Sequence, residues 1–294
     1  MIEQYDDNWE KVAVFNQELD AFYGQLGFSK ASLSDFEKGF NFNYSKDLTG
    51  FENFAKLEKS YKKNGLQTIK KARKLGIKIC EATYDELADF KKVVDEAGER
   101  RQFSTRDLAY YQAVYQAFGD QVKFVLAKLN FKTEHEANQL ALDAVYQEIE
   151  QAKAQNKKKS IDTLNQRVSR LDKFNVELKT LAQTYGDRDV ILAAAQFFIM
   201  PNEVIYMFSG MYDDFREFSA PFLIQDYMLN YAYNHQINQY QFMGVNAPDN
   251  PDQGVLKFKQ NFKGYIWQSS GNYELVVKPM LNKMTKILKL IIKR

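Results

Sequence analysis

The sequence predicts a mixed α/β fold with a long helical arm inserted among its strands, and three observations predict it. All five prolines lie in the last third (Pro201, Pro221, Pro248, Pro251 and Pro279), so no helix before Pro201 is interrupted by that residue. Residues 133–185 are polar, rich in Ala, Gln, Lys and Glu, and carry apolar residues at alternating spacings of three and four. On either side lie short runs rich in Val, Ile, Phe and Tyr, the composition of strands.

In chain order, VKFVLAKLNF (122–131) reads as a strand running into the arm. Leu142, Val145, Ile149 and Ala152 form the stripe of a first arm helix, and Ile161, Leu164, Val168, Leu171, Leu178 and Ala182 that of a second. QNKKKS (155–160) is the polar reversal between them. Helices with narrow seams can bury them only against each other, so the arm, 133–189, is predicted to be an antiparallel coiled coil. Two surface helices of a larger bundle would need wider apolar faces. Asn175 falls on the second seam, where a polar residue sets register. After the arm, ILAAAQFFIM (191–200) and EVIYMFSG (203–210) read as strands joined by Pro201-Asn202. With the arm removed these strands come together, as expected of a helical insertion between neighbouring strands of one sheet. SAPFLIQDYMLNYAYNHQ (219–236) has helical spacing with Ser219 as N-cap. QYQFMGV (239–245) reads as a strand ending at Gly244, and YIWQ (265–268) and YELVV (273–277) flank SSGN as a hairpin.

Composition narrows the chemistry. Lys and Arg number 40 against 38 Asp and Glu in 294 residues, so any basic site must be local. Cys80 is the single cysteine, which excludes an internal disulfide and a cysteine-rich metal site. The acidic start MIEQYDDNWE is unlike a signal peptide, and no apolar run approaches the roughly 20 residues of a membrane span; the expected location is cytoplasmic. There is no P-loop, G-x-G or H-E-x-x-H motif, and His135 and His235 are the only histidines, which argues against metal and triad chemistry.

Two basic features stand out. Between Lys56 and Lys78, Lys56, Lys59, Lys62, Lys63, Lys70, Lys71, Arg73, Lys74 and Lys78 face the lone acid Glu58, which fits either a polyanion partner or a solvated helix face. In GVLKFKQNFKGY (254–265) a helical reading groups Val255, Phe258 and Phe262, stops at Gly264, and puts Lys259 and Lys263 on one face with Lys257 elsewhere. A strand reading would align Lys257, Lys259 and Lys263; Gly264 and the strand-like run after it favour the helix. Ammonium groups gathered beside aromatic packing make phosphate binding the expectation. The tail PMLNKMTKILKLIIKR (279–294) has no acid, and a helix there would line up Leu281, Met284, Leu288 and Ile291, with Lys283, Lys286, Lys289, Lys293 and Arg294 around them. It suits an anionic membrane interface or a terminal helix packed on the body.

The order of these motifs resembles the FemA/MurM (FemABX) family of transferases, which use aminoacyl-tRNA to build the interpeptide bridge of peptidoglycan. The residues that carry the resemblance are TIKKARKLGIKI (68–79), RQFSTRDLAYYQAVYQAFGDQVKFVLA (101–127), the arm, FFIMPNEVIYMFSGMYDDFREFSAPFLIQDYMLNYAYNHQINQYQFMGV (197–245) and GVLKFKQNFKGYIWQSSGNYELVVKP (254–279). The resemblance implies GNAT-like acyltransferase subdomains, with 1–80 as the later part of the first, 81–132 and 190–278 as the second, 133–189 as the inserted arm and 279–294 as a basic amphipathic tail. It also implies that the earlier part of the first subdomain, which carries a lysine and a carboxylate of the family's cleft, has no counterpart here.

Carried over residue by residue, the family's phosphate-binding arginine matches Arg106 in STRDLAYY, with Tyr110 four residues on. The lysine of its F-K-x-x-F element matches Lys259, with Lys257 beside it, and the tyrosine before its small-residue turn matches Tyr206. The implied reaction moves Ala, Ser or Gly from aminoacyl-tRNA to the stem-peptide amine of a lipid-linked peptidoglycan precursor. Aminoacyl-tRNA is the co-substrate and no cofactor is needed, because the ester is already activated and the protein need only orient the amine and stabilise the oxyanion. No general base is identified. The implied partners are the charged tRNA, the lipid-linked precursor, the inner face of the membrane and related transferases in a homo- or hetero-oligomer. The alternative is a truncated, catalytically inert homologue that binds lipid precursor or RNA. Arg106→Met and Lys259→Met are each expected to weaken precursor binding while leaving stability nearly intact.

Overall fold

A computed structural model of the chain describes residues 2–16, 18–32, 41–102, 104–250 and 253–292. In chain order the described elements are β1 (Glu3–Tyr5), β2 (Lys11–Val14), α1 (Leu19–Gln25), β3 (Ser29–Lys30), β4 (Phe42–Asp47), α2 (Phe54–Lys59), α3 (Lys63–Ala72), β5 (Lys78–Glu81), α4 (Leu87–Arg101), α5 (Leu108–Phe118), β6 (Val122–Asn130), α6 (Phe131–Ala154), α7 (Lys158–Tyr185), β7 (Asp189–Ile199), β8 (Glu203–Met211), α8 (Ala220–Asn234), β9 (Gln239–Val245), α9 (Gly254–Gln260), β10 (Tyr265–Gln268), β11 (Tyr273–Glu274) and α10 (Pro279–Ile292). They form two compact units, residues 50–238 and residues 1–49 with 239–294.

In the larger unit the strands run in the order β8-β7-β6-β5, each pair antiparallel. One face of this sheet presents Val122, Phe124, Leu126 and Ala194 to Leu87, Phe90, Val93 and Val94 of α4 and Tyr111 and Val114 of α5. Phe90 meets Phe124 edge-on, with ring centroids 4.9 Å apart. The opposite face is covered by α8, which packs on β6 and β7. A sheet buried on both faces explains why the middle of β7, Leu192 to Phe197, is apolar except at Gln196 and buried throughout. Small residues matter where a helix comes close. A methyl group at Gly210 of β8 would lie 2.1 Å from the Val93 carbonyl oxygen of α4.

The arm leaves β6 and returns to β7 at paired residues, Asn130 opposite Asp189. Asn130 caps α6 by accepting from the Thr133 N–H at 3.1 Å, and its amide donates to Asp187 at 3.0 Å. Leu142, Val145, Ile149 and Ala152 of α6 are buried against α7. Asn175 has a partner that spacing did not single out: Asn138, 6% exposed, donates to Asn175 Oδ1 and to the Leu171 carbonyl, both at 3.1 Å. The reversal is shorter than QNKKKS, because α7 already begins at Lys158. Ser219 does precede α8, but with φ of 54° it is left-handed and its side chain makes no capping bond.

In the smaller unit the order is β2-β1-β10-β4-β9, with antiparallel pairing at each step, and β3 pairs separately with β11. One expectation is corrected here. The 265–268 and 273–277 runs do not form a hairpin: β10 lies between β1 and β4, while the second run is a strand only at Tyr273–Glu274 and pairs with Ser29–Lys30. Residues 239–245 and 265–268 lie in this unit beside the N-terminal strands, because β4 hydrogen-bonds to β9 on one side and β10 on the other.

β9 continues through Val245, one residue past the expected stop at Gly244. α9 is a helix, as its spacing predicts, but it ends at Gln260. Lys263, with φ of 53°, is therefore off the helix and shares no helical face with Lys259. α10 leaves Met280, Leu281, Met284 and Leu288 exposed, while Lys293 and Arg294 lie outside the described residues. No helix among the described residues is long and apolar enough to cross a membrane.

Candidate functional site

In the larger unit Arg106 sits in the loop before α5. Asp107 caps that helix by accepting from the Tyr110 N–H at 2.8 Å. This fixes the first turn so that the exposed Arg106 guanidinium lies 5.4 Å from the centre of the Tyr110 ring, a cation–π arrangement. Tyr110 in turn packs edge-on against Phe208 of β8 at 6.3 Å. The structure therefore brings Arg106 and Tyr110 together on the α4–α5 side of the sheet.

Tyr206 is not with them. Ala195 pairs with Ser209 but Phe197 with Tyr206, so β8 carries one extra residue in the stretch Met207–Phe208, a β-bulge. The extra residue breaks the alternation of side chains and turns Tyr206 and Ser209 to the same face, opposite that of Phe208. The Tyr206 hydroxyl donates to Ser209 Oγ, and its ring stacks on Phe197 at 5.4 Å. Burial pushes the Tyr206 phenol up, while bonds to Ser209 and to Gln225 of α8 oppose the shift. The two hydroxyls at the bulge thus satisfy each other. Ser209 was missed because an alternating strand would put it on the other face from Tyr206.

The basic run contributes a third arrangement. Arg73 pairs with Glu58 at 2.7 Å and with Asp226 of α8, the single carboxylate in that apolar helix. With Phe54, Ile77, Ile79, Leu223, Tyr227 and Asn230 this pair lines a cavity of about 230 Å³. Burial raises the Asp226 carboxyl and the adjacent guanidinium opposes it. An acid in the middle of LIQDYML was a signal available in the sequence.

Lys257 and Lys259 belong to the smaller unit. Lys257 is exposed. Lys259 is 5% exposed, and its ammonium donates to the carbonyls of Met243 at 3.1 Å and Gly244 at 2.6 Å. These carbonyls lie at a register shift in β9, where Met243 has φ of 62°. Lys46, 3% exposed, makes the matching contact on β4, donating to the carbonyl of left-handed Lys263 at 2.9 Å. Burial, then the Lys263 charge, lowers the Lys46 ammonium to about 8. Both buried lysines thus hold backbone in a conformation that non-glycine residues seldom adopt. The expectation that Lys259→Met leaves stability nearly intact is corrected accordingly, since the change would leave two carbonyls at the bulge without this donor.

Glu134, in the first turn of α6, is 8% exposed, and burial pushes its carboxyl from 4.5 up to about 7. Between those values the folded chain keeps a proton that the unfolded chain releases, so stability falls as pH rises through the window. Glu134→Gln is expected to raise the thermal midpoint relative to wild type at about pH 8 and to change it little at about pH 4. Equal shifts at both values would remove burial of the charge as the cause.

The FemAB family model matches residues 14–290 of the chain. Aminoacyltransferase FemA of Staphylococcus epidermidis (strain ATCC 35984) is 30% identical over 239 residues, covering 76% of this chain and 56% of the relative. Aminoacyltransferase FemA of Staphylococcus aureus (strain bovine RF122) is 29% identical over 288 residues, covering 90% of this chain and 66% of the relative. The chain therefore spans between half and two thirds of the length of these relatives. The crystal structure of FemX superimposes with a TM-score of 0.70 at 20% identity, over 91% of this chain and 71% of that one, which shows a shared fold.

Proposed function

Because the chain belongs to the FemAB family, we propose that it is an aminoacyltransferase that moves Ala, Ser or Gly from aminoacyl-tRNA to the stem-peptide amine of a lipid-linked peptidoglycan precursor in the cytoplasm. The observation that carries this reading is the family match across nearly the whole chain, supported by 30% identity to an aminoacyltransferase. The substrate amine attacks the ester carbonyl of the charged tRNA; a C–N bond forms, the bond to the ribose oxygen breaks, and the proton the amine gives up ends on that oxygen. The activated ester supplies the driving force, so orientation and oxyanion stabilisation suffice and no cofactor enters the scheme. In this scheme Arg106, held over Tyr110, binds substrate phosphate.

Incubation with charged tRNA and lipid-linked precursor is expected to add the mass of one amino acid to the precursor. Binding of precursor without that gain, in a folded sample, would instead support the inert binding module. Arg106→Met should weaken precursor binding about tenfold, as loss of one charge-assisted contact does, with an unchanged thermal midpoint because Arg106 is exposed. Unchanged affinity would reject the assignment.

The tail places the enzyme near its lipid-linked substrate in this reading: α10 exposes Met280, Leu281, Met284 and Leu288 and carries no acid, which suits the surface of an anionic leaflet. Sedimentation with anionic vesicles should be lost in a chain ending at Pro279, and equal binding by both forms would leave α10 without that role. Association with related transferases would appear as a concentration-dependent mass in solution, and a constant monomer mass would exclude it for this chain.

A further inference from the structure

We infer that the outer faces of α2 and α3 form a docking surface for the phosphodiester backbone of a double-helical RNA. The inference takes the identity of the RNA, the stem of the charged tRNA, from the proposed reaction, but takes the location from the lysines alone. Of the nine cations between Lys56 and Lys78, Arg73 is engaged by Glu58 and Asp226, and Lys78 by Asp189 at 3.3 Å. Lys56, Lys59, Lys63, Lys70, Lys71 and Lys74 are exposed, and none has an acid within ion-pairing distance among the described residues. The one acid in the segment, Glu58, is consumed by Arg73. These six lysines therefore present positive charge that no acid among the described residues pairs with.

Helix geometry lines these groups up. Gly65, Ile69 and Ala72 are the buried side of α3, and α3 and α2 both pack against α8. Lys63 and Lys70, seven residues apart, lie close to one line along the opposite side, about 10 Å apart, and Lys74 in the following turn continues it. Exposed Asn64 and Gln67 beside them add hydrogen-bond donors. A row of cations and amides with this reach suits successive phosphates of a duplex, which proteins recognise by shape and backbone more than by base. The same face argues against a lipid surface: no large apolar side chain between residues 50 and 80 is exposed, whereas interfacial binding needs an apolar face to bury.

The test uses the whole chain, uncharged tRNA and a short RNA hairpin, with affinity followed by fluorescence anisotropy across a salt series. The triple variant Lys63→Gln/Lys70→Gln/Lys74→Gln removes three exposed charges and should fold as wild type. It is expected to bind both RNAs about tenfold or more weakly at about 0.1 M salt, with the slope of log affinity against log salt reduced by about 3. A control triple of equal charge on the arm, Lys157→Gln/Lys173→Gln/Lys179→Gln, should bind as wild type. Wild-type affinity in the α3 triple, equal loss in the arm triple, or failure of the unaltered chain to bind RNA each overturns the inference. Salt-dependent RNA binding that the α3 triple loses, in a chain that transfers no amino acid, would leave this surface standing while the proposed reaction fails.

Discussion

Gly264→Ala is expected to cost about 3 kcal/mol or more and to lower the thermal midpoint by about 10 °C. The new methyl group would lie 2.0 Å from the Ser45 carbonyl oxygen and 2.9 Å from its carbon, in the strand next to β10. Backbone held in a ladder cannot step aside as a flexible side chain can. The same position supplies an N–H that donates to the Tyr44 hydroxyl at 2.7 Å, and Tyr44 is fully buried, so moving the strand would also break this bond. Gly210→Ala should act alike in the larger unit, where its methyl would meet the Val93 carbonyl oxygen at 2.1 Å. Gly24→Ala is the control: nothing lies within 4 Å of its added methyl, and within α1 the change should be neutral or stabilising by up to about 1 kcal/mol. Thermal unfolding of the three variants measures the contrast. A shift for Gly264→Ala as small as that of Gly24→Ala would mean that β10 does not approach β4 this closely.

Arg73→Met is expected to cost about 2–3 kcal/mol, less than the 3–5 kcal/mol typical of breaking a fully buried pair because the Arg73 side chain is 42% exposed. The loss arises from what remains, since Asp226 is only 8% exposed and would keep its charge beside Glu58 without the guanidinium. Two consequences separate this from lost packing. Adding Asp226→Leu to Arg73→Met should recover most of the stability, because the stranded charge is gone. The penalty should also shrink at acidic pH, because burial already pushes the Asp226 carboxyl up and removal of Arg73 lets it take a proton more readily. Denaturant midpoints of the single and double variants near pH 7 and near pH 4 provide the measurement. A double variant no more stable than Arg73→Met would assign the arginine's role to its carbon chain.

Much of the architecture was legible in the residues. The apolar stripe Leu142, Val145, Ile149 and Ala152 is buried, and the runs at 122–131, 191–200 and 203–210 are neighbouring strands, because periodicity reports which side of an element is covered. The helical reading of 254–265 holds through Gln260 for the same reason. Less of the site was legible. Arg106 and Tyr110 stand together because they lie within one turn of the start of α5, a local matter. Asn138 escaped notice because a seam read from one helix says nothing of which polar residue stands across from it.

By itself, the sequence determined the elements read between residues 122 and 268, the arm between β6 and β7, and the family. Each of these follows from short-range patterning or from residue identity in a recognisable order. Only the tertiary structure decided what each patterned face meets. β10 joins β4 and β1 instead of turning back on the run that follows it, because ladder partners are chosen among strands distant in the chain. Tyr206 and Ser209 come to one face because a single extra residue in β8 shifts the period of two, and a bulge is visible only against its partner strand. The lysines of KFK divide, Lys257 to solvent and Lys259 to the carbonyls of β9, because the helix that carries them is pressed against a bulge. Charge in a sequence is a count; its partner is a distance, and distances are set by the fold.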